Sequence, residues 1–154
     1  MLGFIKRHTK HINDTRAVTC LYNSLVRSIL EYCSTIWPPN YTCHIKRLKR
    51  VQRKFINYLL YKHHFPLLNL SYSTRLLLCG IKTLECRRRD ALFLFLHKLL
   101  NGHTQCSKLL EQIVFLIPSR VTRHRQLFFE HTNRTNYGLT AFVDRLIYYY
   151  NQFY

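Results

Sequence analysis

The acidic residues, the side chains that would hold catalytic metal ions, are few and scattered. Asp14, Glu31, Glu85, Asp90, Glu111, Glu130 and Asp144 are the only seven carboxylates in 154 residues, and only Glu85 and Asp90 lie within five positions of each other. Two-metal polymerases and nucleases hold their ions on clustered acids. Either the chain performs no phosphoryl transfer, or its catalytic half lies elsewhere. Patterns for other chemistries are missing too: there is no GxSxG, HExxH or GxxxxGK[ST]. His103 and Cys106 stand three apart after a helix stop, but no orienting group accompanies them as a Cys/His nucleophile requires. His63-His64 reads as polar loop. The six cysteines, Cys20, Cys33, Cys43, Cys79, Cys86 and Cys106, are separated by 13, 10, 36, 7 and 20 positions, without a CxxC or zinc-finger spacing. The expectation is an intracellular protein, nuclear or cytoplasmic, with reduced and mostly buried thiols, no metal and no cofactor. Lys6 and Arg7 are followed by a polar stretch, unlike a secretory signal.

The cations carry the signal. There are 24 Lys and Arg, which against 7 acids gives a formal net charge of +17. The hydrophobic fraction of 47% is that of a globular protein, so the charge is not that of a disordered basic tail. No apolar run approaches the roughly 20 residues of a membrane span. A polyanion partner follows, nucleic acid first and an anionic membrane surface second. Between Glu31 and Glu85 the sequence has no carboxylate and nine Lys or Arg. A solvated helix face ordinarily mixes signs, because opposite charges four apart stabilise it and like charges repel. Lys46, Arg47, Lys49, Arg50, Arg53 and Lys54 fall in one arc of a helix with no acid among them. Arg87, Arg88 and Arg89 form a second cluster, placed against the dipole at a helix start and partly offset by Glu85 and Asp90. Arg120, Arg123 and Arg125, with His124, sit on a loop free to follow a phosphate backbone. Among the aromatics, Tyr41, Tyr61 and Tyr137 are candidates to stack on unpaired bases, whereas Phe55, Phe95 and Trp37 read as core.

The elements that position these residues are helical. Asp14 or Thr15 caps a first helix with Val18, Leu21, Leu25, Ile29, Tyr32 and Ile36 on its apolar side, ended by Trp37-Pro38-Pro39. Thr42 caps a second, running to about Lys62, whose core arc holds Ile45, Leu48, Val51, Phe55, Ile56 and Leu59. A short turn of helix from Ser73 to Cys79 closes at Gly80. Thr83 opens a third long helix with Leu84, Ala91, Leu92, Phe95, Leu96, Leu99 and Leu100 inward, stopped by Asn101-Gly102. A short helix from Ser107 to Ile113, an extended or core-crossing segment from Val114 to Ile117, and a basic loop to Tyr137 follow. Thr140 caps a last helix bearing Phe142, Val143, Leu146, Ile147 and Tyr150. The Tyr148-Tyr149-Tyr150 run cannot all be buried on one face, so part of it is expected to meet another domain or a partner. The fold class is mainly α: a small helical bundle with a short extended segment and an irregular basic loop near the C-terminus. Residues 1–66 form a region with the basic helix and 67–154 a C-terminal helical region, expected to fold as one cooperative unit.

Six strings in this order also resemble one family. LGFIKRHT at 2–9, LYNSLVRSILEYCSTIW at 21–37, HIKRLKRVQRKF at 44–55, RRRDALFLFLHKLLNG at 87–102, TNYGL at 135–139 and RLIYYYN at 145–151 are similar to the region after the catalytic motifs in reverse transcriptases of non-LTR retrotransposons, jockey-like elements especially. The resemblance implies a helical thumb and C-terminal segment, cut from the palm and fingers with which it would pack. It implies that Lys46, Lys49, Arg50, Arg53 and Lys54 lie along an RNA/DNA template–primer duplex, gripping phosphates and sugars without sequence readout. The family's aromatic-Ala-Asp-Asp signature is absent, His97 replaces an aromatic, and Gln105-Cys106-Ser107 replaces an Asp-Cys-Pro turn. Those departures suit a decayed element copy in which Met1 was once internal. The chain alone is then expected to polymerise nothing. Two alternatives stay open: an inert, marginally folded remnant, and a basic amphipathic module on a membrane surface.

Overall fold

In a computed structural model that describes residues 1–64, 70–117, 126–135, 138 and 140–153, the chain is mainly helical. It divides into two compact units, Met1–Ser34 with Pro38–Arg87, and Thr35–Trp37 with Arg88–Tyr154. The sequence-based division at residue 66 falls inside the first of these, next to residues 65–69, which lie outside the described residues.

The first unit is built on helices α1 (Leu2–His8), α2 (Thr15–Tyr22), α3 (Ser28–Glu31), α4 (Thr42–Lys62) and α5 (Tyr72–Leu78), with a π turn over Asn23–Arg27 joining α2 to α3. Asp14 caps α2 as expected, its Oδ1 accepting from the Arg16 amide at 2.8 Å. The stretch stops at Glu31, well before Pro38, and Cys33 takes a positive φ of 51°. The apolar side also differs from expectation. Val18, Tyr22 and Val26 are buried, whereas Ile29, Tyr32, Ile36 and Trp37 are exposed. The π turn adds a residue to the helical repeat and carries Ile29 off the apolar side, while Tyr32, Ile36 and Trp37 lie beyond the helix end at Glu31. Trp37, expected in the core, is 83% exposed.

Helix α4 begins at Thr42, which is its first helical residue and not its cap, and ends at Lys62 as expected. It buries Phe55, Ile56, Leu59 and Leu60, with Ile45, Leu48 and Val51 half-buried toward its start. The Phe55 ring stacks on Tyr22, centroids 3.7 Å apart and planes 5° from parallel. Ile5, Val18, Val26 and Leu59 complete that cluster, and Ile56 and Leu60 pack with Leu76 of α5. The Ser71 hydroxyl accepts from the Thr74 amide at the start of α5, and Gly80 closes it at φ 62°. Gln52, a polar residue within the apolar arc, is buried and hydrogen-bonded through both its amide nitrogen and its amide oxygen. Its Nε2 donates to the Lys82 carbonyl at 2.8 Å, and its Oε1 accepts from the Tyr72 hydroxyl at 3.1 Å and the Leu84 amide at 3.3 Å.

Helix α6 (Leu84–Leu100) is opened by Thr83, whose Oγ1 accepts from the Cys86 amide. From Arg88 onward it belongs to the second unit, with α7 (Ser107–Leu110) and α8 (Phe142–Phe153). Leu92, Leu96, Leu99, Ile113, Phe128, Leu146 and Ile147 form this unit's core. Leu100, expected inward, is exposed, and Gly102 ends the helix at φ 70°. α7 is shorter than expected, stopping at Leu110. The segment Val114–Ile117 is extended but does not cross the core: all four side chains are exposed, Ile117 at 90%. It pairs antiparallel with 127–129 through the Phe115–Phe128 bridge, and Phe128 is the residue that turns inward. Asn151 of α8 holds this pair, exchanging bonds with the Phe128 amide and carbonyl. Of the tyrosine run, Tyr149 and Tyr150 pack against the core and Tyr148 is about half exposed.

No helix among the described residues is long and apolar enough to cross a membrane.

Candidate nucleic-acid interface

All six expected cations of α4, Lys46, Arg47, Lys49, Arg50, Arg53 and Lys54, are exposed on the side away from Phe55 and Leu59. The apolar residues decide this arrangement. With one arc committed to Tyr22, Ile5 and Leu76, the charged positions have only solvent to face. The six are not equivalent. Lys49 Nζ lies 2.8 Å from Glu85 Oε2, an exposed pair that relieves some of the repulsion along the helix. The Arg53 guanidinium lies 5.0 Å from the centroid of the Tyr72 ring, a cation–π contact. Lys46, Arg47, Arg50 and Lys54 have no ion-pair partner among the described residues. At about 100° per residue they span one arc of roughly 100°, running along the helix for about 12 Å.

The Arg87–Arg89 cluster is different from expectation. Arg87 is not offered to a partner. Its Nε and Nη2 donate to the two Glu31 carboxylate oxygens at 2.5 and 3.0 Å, a bidentate pair in which both side chains are largely shielded. Glu31 also lies 3.9 Å from Arg27. Glu85, read as an offset to this cluster, pairs with Lys49 instead. Arg88 and Arg89 are half-buried, and both are engaged within the protein. Arg120, Arg123 and Arg125 lie outside the described residues, as does Tyr137.

Around the α4 stripe, other cations hold the scaffold. Lys62 Nζ donates to the carbonyls of Thr9 and Ile12, tying down the chain after α1. Lys6 and Lys62 also lie 5.5 and 5.8 Å from the centroid of the Tyr58 ring, whose hydroxyl is 2.8 Å from Thr9 Oγ1. Tyr41 and Tyr61 are exposed, at 74% and 72%. Tyr41 makes an edge contact with His44.

The thiols are not mostly buried. Cys20, Cys33 and Cys43 are exposed, and Cys79, Cys86 and Cys106 half-buried, all of them free. The apolar arcs are filled by larger residues, which leaves cysteine at their margins. Burial pushes the Cys79 thiol up from its ordinary value, toward the unreactive protonated form. Cys106 packs against the second core, while His103 is exposed. No group of three or more metal-ligating side chains occurs among the described residues.

The sequence pattern missed Glu85 and Tyr72 as partners of Lys49 and Arg53, because both contacts depend on how distant elements pack. No family model, curated protein or solved structure matches this chain.

Proposed function

We propose that this chain is a non-catalytic piece of a non-LTR retrotransposon reverse transcriptase, and that it binds an RNA/DNA template–primer without reading its sequence. One observation carries the binding part: the exposed cation stripe Lys46, Arg47, Arg50 and Lys54 on a helix whose opposite arc is the core. A row of uncompensated charges repels itself, and a phosphate backbone laid against it removes that cost. The six collinear strings support the family, and the scattered carboxylates support a role outside the chemical step. Its partners would be the duplex and the palm and fingers of a complete polymerase.

A membrane-surface role is disfavoured, because the apolar arc of α4 is turned into the protein, with Phe55, Ile56, Leu59 and Leu60 buried and Ile45, Leu48 and Val51 half-buried. The test is fluorescence anisotropy with labelled RNA/DNA hybrids of unrelated sequence. Similar affinities across sequences support the reading. Absence of binding, or DNA synthesis by the purified chain alone, contradicts it.

A further inference from the structure

Tyr61 lies on the same side of α4 as the cations. It is seven residues beyond Lys54, two turns of helix, so it sits about 10 Å further along the axis and within about 20° of both Lys54 and Arg50. Its ring is 72% exposed, whereas Tyr22, Phe55, Tyr58 and Tyr72 are buried or in contact with cations and the other exposed helix-borne ring of the unit, Phe4 of α1, lies against His8. An aromatic left in water at the end of a cation row has a cost that packing does not explain. A duplex would not use it, because paired bases are stacked inside and present phosphates and groove edges to a helix surface. An unpaired base presents its face.

Resting on the nucleic-acid reading above, we propose that the α4 stripe takes single-stranded nucleic acid or the unpaired strand beside a duplex end, with Tyr61 stacking on an unpaired base and Lys46, Arg50 and Lys54 following that strand's phosphates. Cation row and aromatic platform together are the arrangement by which proteins hold single strands of any sequence. The stacking is indifferent to sugar, so DNA and RNA strands are both accepted.

The experiment compares the full chain with Tyr61→Ala and Tyr61→Phe, using a labelled single-stranded DNA, the matching RNA, the DNA with abasic sites, and a blunt duplex. Tyr61→Ala is expected to weaken both intact single strands about five- to a hundredfold, the range of one lost stacking contact. Tyr61→Phe should retain their affinity, and the abasic strand and the duplex should bind wild type and Tyr61→Ala alike. Thermal unfolding confirms that the exposed substitutions leave the fold intact. If Tyr61→Ala binds single strands as tightly as wild type, or weakens strand and duplex equally, the inference is wrong and the cation stripe still stands. If the wild-type chain binds none of the four, the underlying reading falls with it.

Discussion

Lys49 of α4 reaches across to Glu85, its Nζ 2.8 Å from the carboxylate, so the acid that ends the 53-residue carboxylate-free stretch is set directly against its cations. Both side chains are well exposed, 45% and 66%, and a pair of that kind adds little to stability. Its consequence is electrostatic: it withdraws one cation from the row and puts a negative charge beside it.

Glu85→Ala should therefore strengthen nucleic-acid binding while changing unfolding free energy by less than about 1 kcal/mol. Released, Lys49 adds one phosphate contact, which steepens the log affinity–log salt slope by about 0.7–0.9. Anisotropy titrations at several salt concentrations, paired with urea unfolding, check both halves.

Gln52 gives the opposite balance. It serves the Lys82 carbonyl, the Leu84 amide and the Tyr72 hydroxyl from a buried position. Gln52→Leu leaves those groups to lose their partner, and should cost about 2–4 kcal/mol in equilibrium unfolding. Tyr72→Phe, which removes one of the three bonds, should cost about 1 kcal/mol.

Much of this was legible from the residues, and the failures share a cause. The bounds of α4, the Gly80 and Gly102 stops, the Asp14 cap and the two-sided character of α4 follow from local periodicity and turn chemistry. Gln52 was legible in principle, since a helical wheel puts it between Phe55 and Ile56. The π turn after Tyr22 was not, because nothing in the residue types marks the extra residue that turns Ile29 outward. Arg87, a phosphate-ligand candidate by its clustering alone, is held by Glu31, 56 positions away. Distant pairings of this kind depend on packing and not on spacing.

Tyr22 predicts a pH response. Its hydroxyl is buried without a hydrogen-bond partner among the described residues, and burial pushes its pKa up to about 12 from the ordinary 10.0. Above pH 10 the unfolded chain releases this proton first, so stability is whole below that pH and falls between about 10 and 12. Tyr22→Phe should raise stability near neutrality by about 1 kcal/mol and flatten the alkaline loss. Tyr72, also raised by burial, keeps part of it. Denaturant unfolding from pH 8 to 12 checks the sign.

Arg145 pins the second unit. Buried, with burial lowering its pKa, it donates from Nη2 to the Thr35 carbonyl and lies 6.0 Å from the centroid of the Phe142 ring. Arg145→Met should destabilise by about 1–3 kcal/mol by unpairing a carbonyl. Arg145→Lys should not restore it, since an ammonium lacks the planar fork. Thermal unfolding monitored by circular dichroism reads both.

The central claim is that the free cations of α4 meet phosphates, and one measurement tests it most directly: the salt dependence of affinity for a single labelled oligonucleotide, wild type against Lys46→Gln/Arg50→Gln/Lys54→Gln. The wild-type log–log slope should be about −3 or steeper, and the triple substitution should make it shallower by about 2 to 3. A slope that the three substitutions leave unchanged, or an affinity indifferent to salt, would contradict the account.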